Sequence, residues 1–417
     1  MTEAPPRPAE LSVLIVNYNT WRECANAVAS LRQHGPTRAD GSPMPFECIV
    51  VDNLSPHRPA DAIAAVEHEL QQLAAAQGDP AAGRLILHGE NGGYSKGMNL
   101  AFQHSRGRWI LVSNPDLLFG PGLIPRLQRA MEQDPRIGIA VPKGYWDSDF
   151  QGHLPPNTLP TLGDAWVATL TEFSPRLSRW HSRRLARAWR RAWQAERPLS
   201  LPMMSGCLFL IERSFFEQIG RFDERYPLYF EDADLSVAIR KAGRTITQVP
   251  DAHLVHFVNR SGMSDLKTMW ERHHESRAKY YRKWYGWLGA LTLRATRWLQ
   301  GTPRLQKLRQ FTPEAPYVDL GDSDQPPLLK LPRRCDSYLV LMSLDPRFYL
   351  AAGIYGAGDH WTPTPAAFAL FVNATFFFAV YDTSGGRFDR LGTWRYYCQS
   401  HLGHSVRPAA PAAEKVP

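Results

Sequence analysis

The feature that most constrains this chain is the alternation of short β-branched runs with helical patterns over its first 145 residues. Such an alternation is typical of βαβ units, in which helices connect the strands of a mostly parallel sheet. We therefore predict an α/β fold with a Rossmann-like mixed, mostly parallel sheet flanked by helices. The predicted strands are residues 12–18, 46–53, 84–89, 108–115 and 137–142. The predicted helices lie near residues 20–34, 59–76, 95–105 and 121–133.

Polar residues stand where the predicted strands end. Asn17, Asp52, Asn91 and Asp116 each close an apolar run or follow it within a short turn. Ligands of open α/β sheets bind beyond the carboxyl ends of the strands. We therefore expect these four side chains to converge on one crevice.

The second half of the chain changes character after residue 262. Up to that point the mixed pattern continues, with predicted strands at residues 206–212 and 245–250 and a helix at 232–241. Composition then shifts to a long helical pattern, a Pro-rich stretch and an aromatic, strand-rich segment. The expected organisation is a core at 1–262 with a basic helical insertion at about 164–198, an amphipathic helical extension at 263–301, a Pro-rich linker at 302–334, a small strand-rich domain at 335–400 and a disordered tail at 401–417.

The net charge of +8 is concentrated in two segments. Residues 176–197 contain eight arginines and one acidic residue, and residues 267–309 contain eleven Lys or Arg and two acidic residues. On a helical wheel both segments place Trp and Leu on one face and most of their cations on the other. Basic amphipathic helices rich in Trp suit the surface of an anionic membrane. Alternatively, both apolar faces pack on the protein core.

Nothing in the sequence indicates export. The first ten residues contain no apolar segment of the kind that a secretory signal needs, and no run of about 18 apolar residues predicts a spanning helix. The five cysteines show no C-x-x-C spacing, so neither a disulfide framework nor a zinc site is indicated. We expect a cytoplasmic protein, which lies peripherally on the inner face of the cell membrane if its basic helices bind lipid.

Two glycines follow the third predicted strand in GENGGYSKGMNLAF (89–102). Gly92 and Gly93 would let the backbone approach a ligand, and the N-terminus of the next helix would favour an anion. Lys96 and Asn99 add hydrogen-bond donors. The alternative is a tight βα turn without a ligand.

Candidate metal ligands lie in two segments. SNPD (113–116) offers the Asp116 carboxylate to a hard cation bound to phosphates, although Asn-Pro-Asp is also ordinary turn chemistry. VPDAHLVHFVNRSG (249–262) places His253 and His256 beyond a strand, and a neutral imidazole binds metals beside a carboxylate. Either histidine alone is more often structural.

A candidate general base lies in FDERYPLYFEDADL (222–235), which contains five carboxylates. Crowded acids raise one another's pKa values, which suits a general base such as Asp232. Acidic residues also favour a helix N-terminus through the helix dipole. For Asp234 the structural interpretation is preferred.

The order of these motifs is more specific than any one of them. The chain strongly resembles glycosyltransferase family 2, whose fold is named GT-A, and especially its rhamnosyltransferase-like members. The resemblance extends over roughly residues 11–285 and consists of the succession VLIVNYN, VVDNLS, GENGGYSKGMNLAF, LVSNPD, SGCLFLIERSFFEQIGRFDE, YFEDADL and VPDAHLVH. It implies a dTDP- or UDP-linked sugar donor and a Mg²⁺ or Mn²⁺ cofactor. Rhamnose is the first candidate for the transferred sugar. The resemblance also implies inverting single displacement by a hydroxyl of a glycan or lipid-linked acceptor in cell-surface polysaccharide synthesis.

The resemblance assigns roles to particular residues. Asp232, with Glu231 beside it, matches the catalytic base of the family's ED motif. Asp116 takes the last position of the metal-binding D-x-D motif, and His256 matches a late histidine that approaches the metal or the diphosphate. The chain departs from D-x-D because SNPD (113–116) contains a single carboxylate. The residues that would bind the nucleotide sugar are Asn17, Asn19, Asp52, Asn53, Asn91, Gly92, Gly93, Lys96, Asn99 and Asn114.

A second interpretation is a catalytically inactive nucleotide-sugar-binding or membrane-surface scaffold protein on the same fold. The presence of Asp52, Asp116 and Asp232 favours the enzyme. No nucleic-acid partner is expected, because the arginine-rich segments lack a recognisable reader motif.

Overall fold

The computed structural model of the protein describes residues 9–38, 41–256, 266–307 and 317–399. The expected tail at 401–417 lies outside these residues, as do parts of the expected extension and linker. The strands are β1 Leu11–Asn17, β2 Phe46–Asp52, β3 Gly83–Leu87, β4 Trp109–Ser113, β5 Leu117–Phe119, β6 Ile137–Tyr145, β7 Gly152–His153, β8 Leu199–Leu201, β9 Leu208–Glu212, β10 Thr245–His256, β11 Val318–Ser323, β12 Leu329–Ser343, β13 Ala352–Trp361, β14 Ala374–Asp382 and β15 Asp389–Cys398.

Each helix predicted in the first 145 residues is present, and seven more follow among the described residues. No helix in the described part of the chain combines the length and the apolar character needed to cross a membrane. The helices are α1 Trp21–Gln33, α2 Ala60–Gln77, α3 Tyr94–Gln103, α4 Leu123–Gln133, α5 Leu162–Thr171, α6 Pro175–Trp193, α7 Arg213–Gln218, α8 Glu231–Lys241, α9 Leu266–Gly301, α10 Pro303–Gln306 and α11 Pro365–Phe368.

The chain folds into two compact units. The first comprises the described residues within Met1–Gly144, Pro156–Trp166 and Gln194–Leu299. The second comprises those within Tyr145–Pro155, Val167–Trp193 and Gln300–Pro417. This division assigns α6 to the second unit, whereas composition had placed the basic insertion within the core.

The sheet of the first unit is mixed. Its strand order is β3-β2-β1-β4-β9-β6, and the first four strands run parallel to one another. β9 and β6 pair antiparallel. The predicted α/β fold with a mostly parallel sheet and flanking helices is therefore confirmed. β1, β2 and β4 are buried along their whole length, as expected for parallel strands covered by helices on both faces.

Strand register brings the polar strand ends to one edge of this sheet. Asn17 is the register partner of Asp52 in the neighbouring strand. β9 runs in the opposite direction to β4, so its N-terminal end reaches the same edge, where the amide of Asn114 donates to the carbonyl oxygen of Cys207 at 2.7 Å. β10 pairs antiparallel with β5 and ends there with His256.

The second unit is built on antiparallel pairs with one parallel pair. Its strand order is β11-β15-β14-β12-β13-β7, in which only β11 and β15 run parallel. Residues of β12 alternate between two apolar clusters, as the period of two in a strand requires. Leu339 and Leu341 pack with Trp189 and Trp193 of α6, whereas Val340 belongs to the opposite cluster.

The apolar face of α6 is therefore an interior face. Leu185, Trp189 and Trp193 are each less than 10% exposed. For this helix the core-packing alternative is confirmed, and of its three tryptophans Trp180 alone is half exposed.

The long helix α9 contains a break that the helical wheel did not include. Gly286 has φ 58° and ψ −135°, which are not helical values. A helical wheel assumes the same rotation at every residue, and the non-helical Gly286 breaks that assumption. The predicted single apolar face is therefore wrong, because Tyr281 is buried whereas Leu288 and Leu291 are exposed. The expected linker at 302–334 also differs, because it contains β11 and the start of β12.

Candidate active site

The ends of β1 and β2 are joined by a buried hydrogen-bond network. The Asp52 carboxylate accepts hydrogen bonds from the Asn17 amide at 2.8 Å, from the Ser55 hydroxyl and amide, and from the Arg58 guanidinium at 2.8 Å. Asn17 in turn accepts hydrogen bonds from Thr20. Asp52 and Asn17 are both 0% exposed. Their polar atoms form hydrogen bonds with protein groups, and these bonds hold the carboxyl ends of β1 and β2 together.

The two glycines lie in a second network beside the first. The Asn53 side chain donates to the Asn91 oxygen at 3.0 Å and accepts from the Gly92 amide at 3.1 Å. Asn19 holds the neighbouring turn by accepting from the amide of His57 at 3.2 Å. The structure thus brings Asn53, Asn91 and Gly92 together, and their assignment to the nucleotide sugar stays a prediction.

Gly93 is required by both backbone conformation and space. Its φ is +84°, and a Cβ at this position would lie 2.3 Å from the carbonyl oxygen of Pro227. The same carbonyl accepts from the amide of Tyr94 at 3.0 Å. The N-terminus of α3 is thereby tied to the loop that leads into α8.

Asn99 and Lys96 occupy different places on α3. The Asn99 amide donates to the Phe222 carbonyl and the Glu224 carboxylate, and its oxygen accepts from the Phe222 amide, so this side chain supports the loop. Lys96 is exposed, and its ammonium lies 3.3 Å from Glu90. Of the two, Lys96 is the one that stands where a ligand could reach it.

The two predicted metal ligands are adjacent in space. The Nε2 atom of His256 lies 3.4 Å from Oδ1 of Asp116, and both residues are largely buried. Burial lowers the pKa of His256, but the Cys207 thiol and Asp116 outweigh it and raise that pKa to about 10. The Ser205 hydroxyl donates to the Cys207 sulfur at 3.2 Å. This end of the sheet therefore attracts positive charge.

A divalent cation fits this donor set. One carboxylate and one imidazole together suit Mn²⁺, and a metal that binds sugar nucleotides takes further ligands from the diphosphate and water. Within the described ranges, no three His, Cys, Asp or Glu side chains are arranged to hold a metal by themselves. Asp116 and His256 are thus the residues that would hold the ion, with Asn114 partly buried beside them.

The Glu-Asp pair begins α8 after a strained turn. Tyr229 and Phe230 have φ of 64° and 66°, a left-handed conformation that costs free energy in non-glycine residues. Burial raises the pKa of both Glu231 and Asp232, and the Asp232 charge raises that of Glu231 further. The amides of Ala233 and Gly206 donate to Asp232 and oppose part of its shift. One buried oxygen of Glu231 has no hydrogen-bond partner among the described residues.

Tyr94 connects the metal ligands to the Glu-Asp pair. Its hydroxyl donates to the carbonyl of residue 206 at 3.3 Å. Burial and then the negative charges of Glu231, Cys207, Asp232 and Asp116 raise the pKa of Tyr94 well above its usual range. The Tyr94 hydroxyl thereby bonds the residue that packs against Asp232 and precedes Cys207.

Asp234 belongs to the support of the site, as its sequence context had suggested. Its carboxylate accepts from the Tyr226 hydroxyl at 3.1 Å, the Lys283 ammonium at 2.7 Å and the Trp284 indole at 2.7 Å. These contacts fix α8 against α9. Asp232, two residues earlier, forms no hydrogen bond to the described side chains of α9.

Sequence reasoning missed Tyr94, Cys207 and Arg58. Tyr94 and Cys207 each lie next to a motif residue that was singled out, but an aromatic or a lone cysteine carries no chemical signal in a sequence. His253, the other histidine considered, donates a hydrogen bond from Nε2 to the carbonyl oxygen of Pro250 at 3.1 Å.

Comparison with known proteins identifies the family. The profile of Glycosyl transferase family 2 matches residues 12–220, half of the 417-residue chain. Two curated relatives are N-acetylglucosaminyl-diphospho-decaprenol L-rhamnosyltransferases of Mycobacterium tuberculosis, strains CDC 1551 / Oshkosh and ATCC 25618 / H37Rv. Each is 35% identical over 173 residues, which is 40% of this chain and 53% of the relative. The chain thus spans about half the length of these relatives.

Two solved structures are similar at lower identity. The mannosyltransferase PcManGT from Pyrobaculum calidifontis, in complex with GDP-Man and Mn²⁺, is 17% identical with a TM-score of 0.39, covering 73% of this chain and 81% of that one. GalNAc-T7 with UDP, GalNAc and Mn²⁺ is 14% identical with a TM-score of 0.43, covering 93% of this chain and 72% of that one.

The family profile covers the elements from β1 to α7 and ends before Glu231, Asp232 and His256. It includes Asp52, Gly93 and the other motif residues at the carboxyl edge of the parallel strands. Since the profile spans half of the chain, the protein belongs to glycosyl transferase family 2.

Proposed function

We propose that this protein is an inverting, metal-dependent glycosyltransferase that moves a sugar from a dTDP- or UDP-linked donor to a hydroxyl of a glycan or lipid-linked acceptor in cell-surface polysaccharide synthesis. One observation carries the proposal: residues 206 and 207 connect the candidate base to the candidate cation ligand. A Cβ at Gly206 would lie 3.1 Å from the Cβ of Asp232, and the Cys207 carbonyl accepts from the amide of Asn114, two residues before Asp116, at 2.7 Å. A transferase needs both groups in one site, because it stabilises a leaving diphosphate and activates an acceptor hydroxyl.

The sugar and the acceptor are suggested by the curated relatives. Their names specify transfer of L-rhamnose to an N-acetylglucosaminyl-diphospho-decaprenol. Rhamnose is therefore our first candidate for the sugar, and a diphosphate-linked prenol is our first candidate for the acceptor carrier. UDP-linked hexoses are the second candidates for the sugar donor.

The donor would lie at the carboxyl edge of β1, β2 and β4. The networks around Asp52 and Asn53 hold this edge rigid, so the backbone near Gly92 is positioned before the donor arrives. Lys96 and the N-terminus of α3 supply positive potential for the diphosphate. A Mg²⁺ or Mn²⁺ ion held by Asp116 and His256 would neutralise charge on the leaving group when bound.

Asp232 is the proposed general base. It takes the proton of the acceptor hydroxyl while that oxygen attacks the anomeric carbon, and the bond from this carbon to the diphosphate oxygen breaks. The nucleoside diphosphate leaves with the bonding electrons, and the anomeric configuration inverts. The Asp232 charge raises the pKa of Glu231, which favours a state with Glu231 protonated and Asp232 ionised.

The test is a panel of nucleotide sugars that includes dTDP-rhamnose and UDP-hexoses. Binding is measured by calorimetry and nucleotide release is followed with and without Mn²⁺. We expect one donor to bind more tightly with the metal, and Asp116→Asn to lose that difference. Asp251→Asn removes an exposed carboxylate of β10 and serves as the control. If a donor binds but no nucleotide is released, the inactive nucleotide-sugar-binding interpretation replaces the enzyme; if no donor binds, with or without Mn²⁺, the membrane-surface scaffold replaces it.

A further inference from the structure

The part of α9 after the break at Gly286 exposes large apolar side chains. Trp287 is 73% exposed, Leu291 54% and Trp298 67%. Side chains of this size are normally covered in a folded protein, and clusters of them mark interaction sites. We call residues 287–301 the outer segment of α9.

The outer segment has both of its tryptophans and Leu291 on the exposed side of the helix, whereas Leu293 is buried. At about 100° per residue, Trp287, Leu291, Arg294 and Trp298 fall within about 60° of one another. The opposite side is buried and includes Thr296, whose hydroxyl is satisfied by the carbonyls of the preceding turn. A helix that only packed on its own unit would have the reverse arrangement, with Trp and Leu inside.

Positive charge surrounds this apolar stripe. Residues 276–307 contain eight Lys or Arg and no acidic residue. Arg282, Arg294 and Arg297 line a groove of about 560 Å³ whose other walls are largely apolar, including Trp298. Within the described residues, none of these three arginines forms an ion pair. The groove therefore combines unpaired guanidinium groups with an apolar floor.

We propose that the outer segment and its arginine groove dock on an anionic membrane surface, with lipid phosphates in the groove and Trp287, Leu291 and Trp298 in the interface. Guanidinium groups bind phosphate in bidentate fashion, and Trp is favoured where apolar and polar regions of a bilayer meet. An acidic protein partner would supply carboxylates but would not require a stripe of exposed Trp. α6 does not share this role, because Trp189 and Trp193, the tryptophans of its apolar face, are buried.

This docking is independent of the proposed sugar transfer. It would hold the chain at the surface where lipid-linked molecules are found, whether or not the protein transfers sugar to them. Donor binding in solution therefore tests the transferase, and vesicle binding tests the docking.

The test is flotation of the full chain with vesicles of phosphatidylcholine alone and with vesicles of equal parts phosphatidylcholine and phosphatidylglycerol. We expect binding only to the anionic vesicles, weakening as salt is raised. Neutralising the groove with Arg282→Gln, Arg294→Gln and Arg297→Gln should lower partitioning by about 100-fold, since each cation near the surface contributes about fivefold.

A charge-matched control comes from α6. Arg176→Gln, Arg187→Gln and Arg191→Gln remove the same charge from exposed positions of a helix whose apolar face is buried. This variant should bind the vesicles as the unmodified chain does. Equal losses in both variants would mean that net charge alone drives binding, and that result overturns the proposal.

A second measurement reports on the tryptophans directly. Brominated lipids should quench part of the intrinsic fluorescence on binding, and Trp287→Phe with Trp298→Phe should remove most of that quenching. Both positions are exposed, so these changes are compatible with folding. Failure of the unmodified chain to bind anionic vesicles at low salt, or quenching that persists in the double variant, overturns the docking.

Discussion

Asp232 and Asp234 are two carboxylates on the same helix, and the same amide substitution should have opposite effects on them. Asp232→Asn removes the proposed base, and loss of general-base catalysis lowers rates by about 10² to 10⁴. Donor binding should be unchanged, because the base acts on the acceptor. The folded protein should also become more stable, since an ionised carboxylate no longer has to be buried beside Glu231.

The size of that gain follows from the shifted pKa of Asp232. Each unit of pKa difference between folded and unfolded chains corresponds to about 1.4 kcal/mol. The pKa of Asp232 is raised, first by burial and against the hydrogen bonds of neighbouring amides. The shift is from 3.8 to about 6, so we expect Asp232→Asn to raise the free energy of unfolding at neutral pH by up to about 3 kcal/mol.

Asp234→Asn should do the reverse. It removes the negative partner of Lys283 and places amide protons near that ammonium, while Tyr226 and Trp284 lose the charge that they donate to. Breaking a buried pair costs about 3–5 kcal/mol, and the remaining contact of Lys283 with Asp223 at 2.8 Å reduces this to about 2–3 kcal/mol. The rate should change far less than in Asp232→Asn.

The two variants are compared by urea denaturation and by nucleotide release from the donor that the panel selects. An Asp232→Asn protein that binds donor and retains near-normal transfer would refute the assignment of the base. An Asp232→Asn protein less stable than Asp234→Asn would refute the structural reasoning, because it would mean that Asp232 makes the stabilising contacts.

The raised pKa of Asp232 also predicts a pH dependence. The folded chain holds this proton more tightly than the unfolded chain, so stability from this group is fully present below the ordinary aspartate pKa. It is lost as pH rises from that value through the raised one. Asp232→Asn should flatten the stability curve in that window, and the acid limb of the rate profile should lie above the ordinary aspartate pKa. A stability curve that is the same in both proteins would contradict this assignment.

Three further outcomes are expected. Asp116→Asn should weaken Mn²⁺-dependent donor binding at least about tenfold by calorimetry, since even outer-shell partners of a metal ligand contribute that much; equal response to Mn²⁺ would argue against a metal at this position. Gly93→Ala should lower the free energy of unfolding by about 2–4 kcal/mol, because it adds a collision to backbone strain, whereas Gly78→Ala, with φ +63° and open space, should cost about 1 kcal/mol. Trp189→Ala should cost about 3–5 kcal/mol and Trp180→Ala less than about 0.5 kcal/mol, and similar losses would contradict the burial of α6.

Much of the first unit was predictable from local pattern. Apolar runs that end in Asn17 and Asp52 could only be buried strands, and parallel strands connected by helices place their carboxyl ends at one edge. His256 could be paired with Asp116 only through the family resemblance, because 140 positions of sequence lie between them. The register of β10 against β5 is what brings them to 3.4 Å.

The residues that support the site were harder to predict. Asn99 and Asp52 were predicted to bind the nucleotide sugar, and that assignment stays a prediction. In the structure their side chains bond Glu224 and Arg58, which are distant in sequence or lie in a loop. A side chain's chemistry is the same whether it faces a ligand or a neighbouring loop. Only the packing of the loops decides which of the two it contacts.

The sequence by itself determined the α/β class, the family and the edge of the sheet where the site lies, because strand period, turn chemistry and motif order are local properties of the chain. The tertiary structure decided the rest. It buried Trp189 and Trp193 of α6, whereas Trp287 and Trp298 of α9, beyond the break at Gly286, are exposed. Two helices with the same basic, Trp-rich composition thus differ in the exposure of their tryptophans, since exposure depends on what packs against a helix.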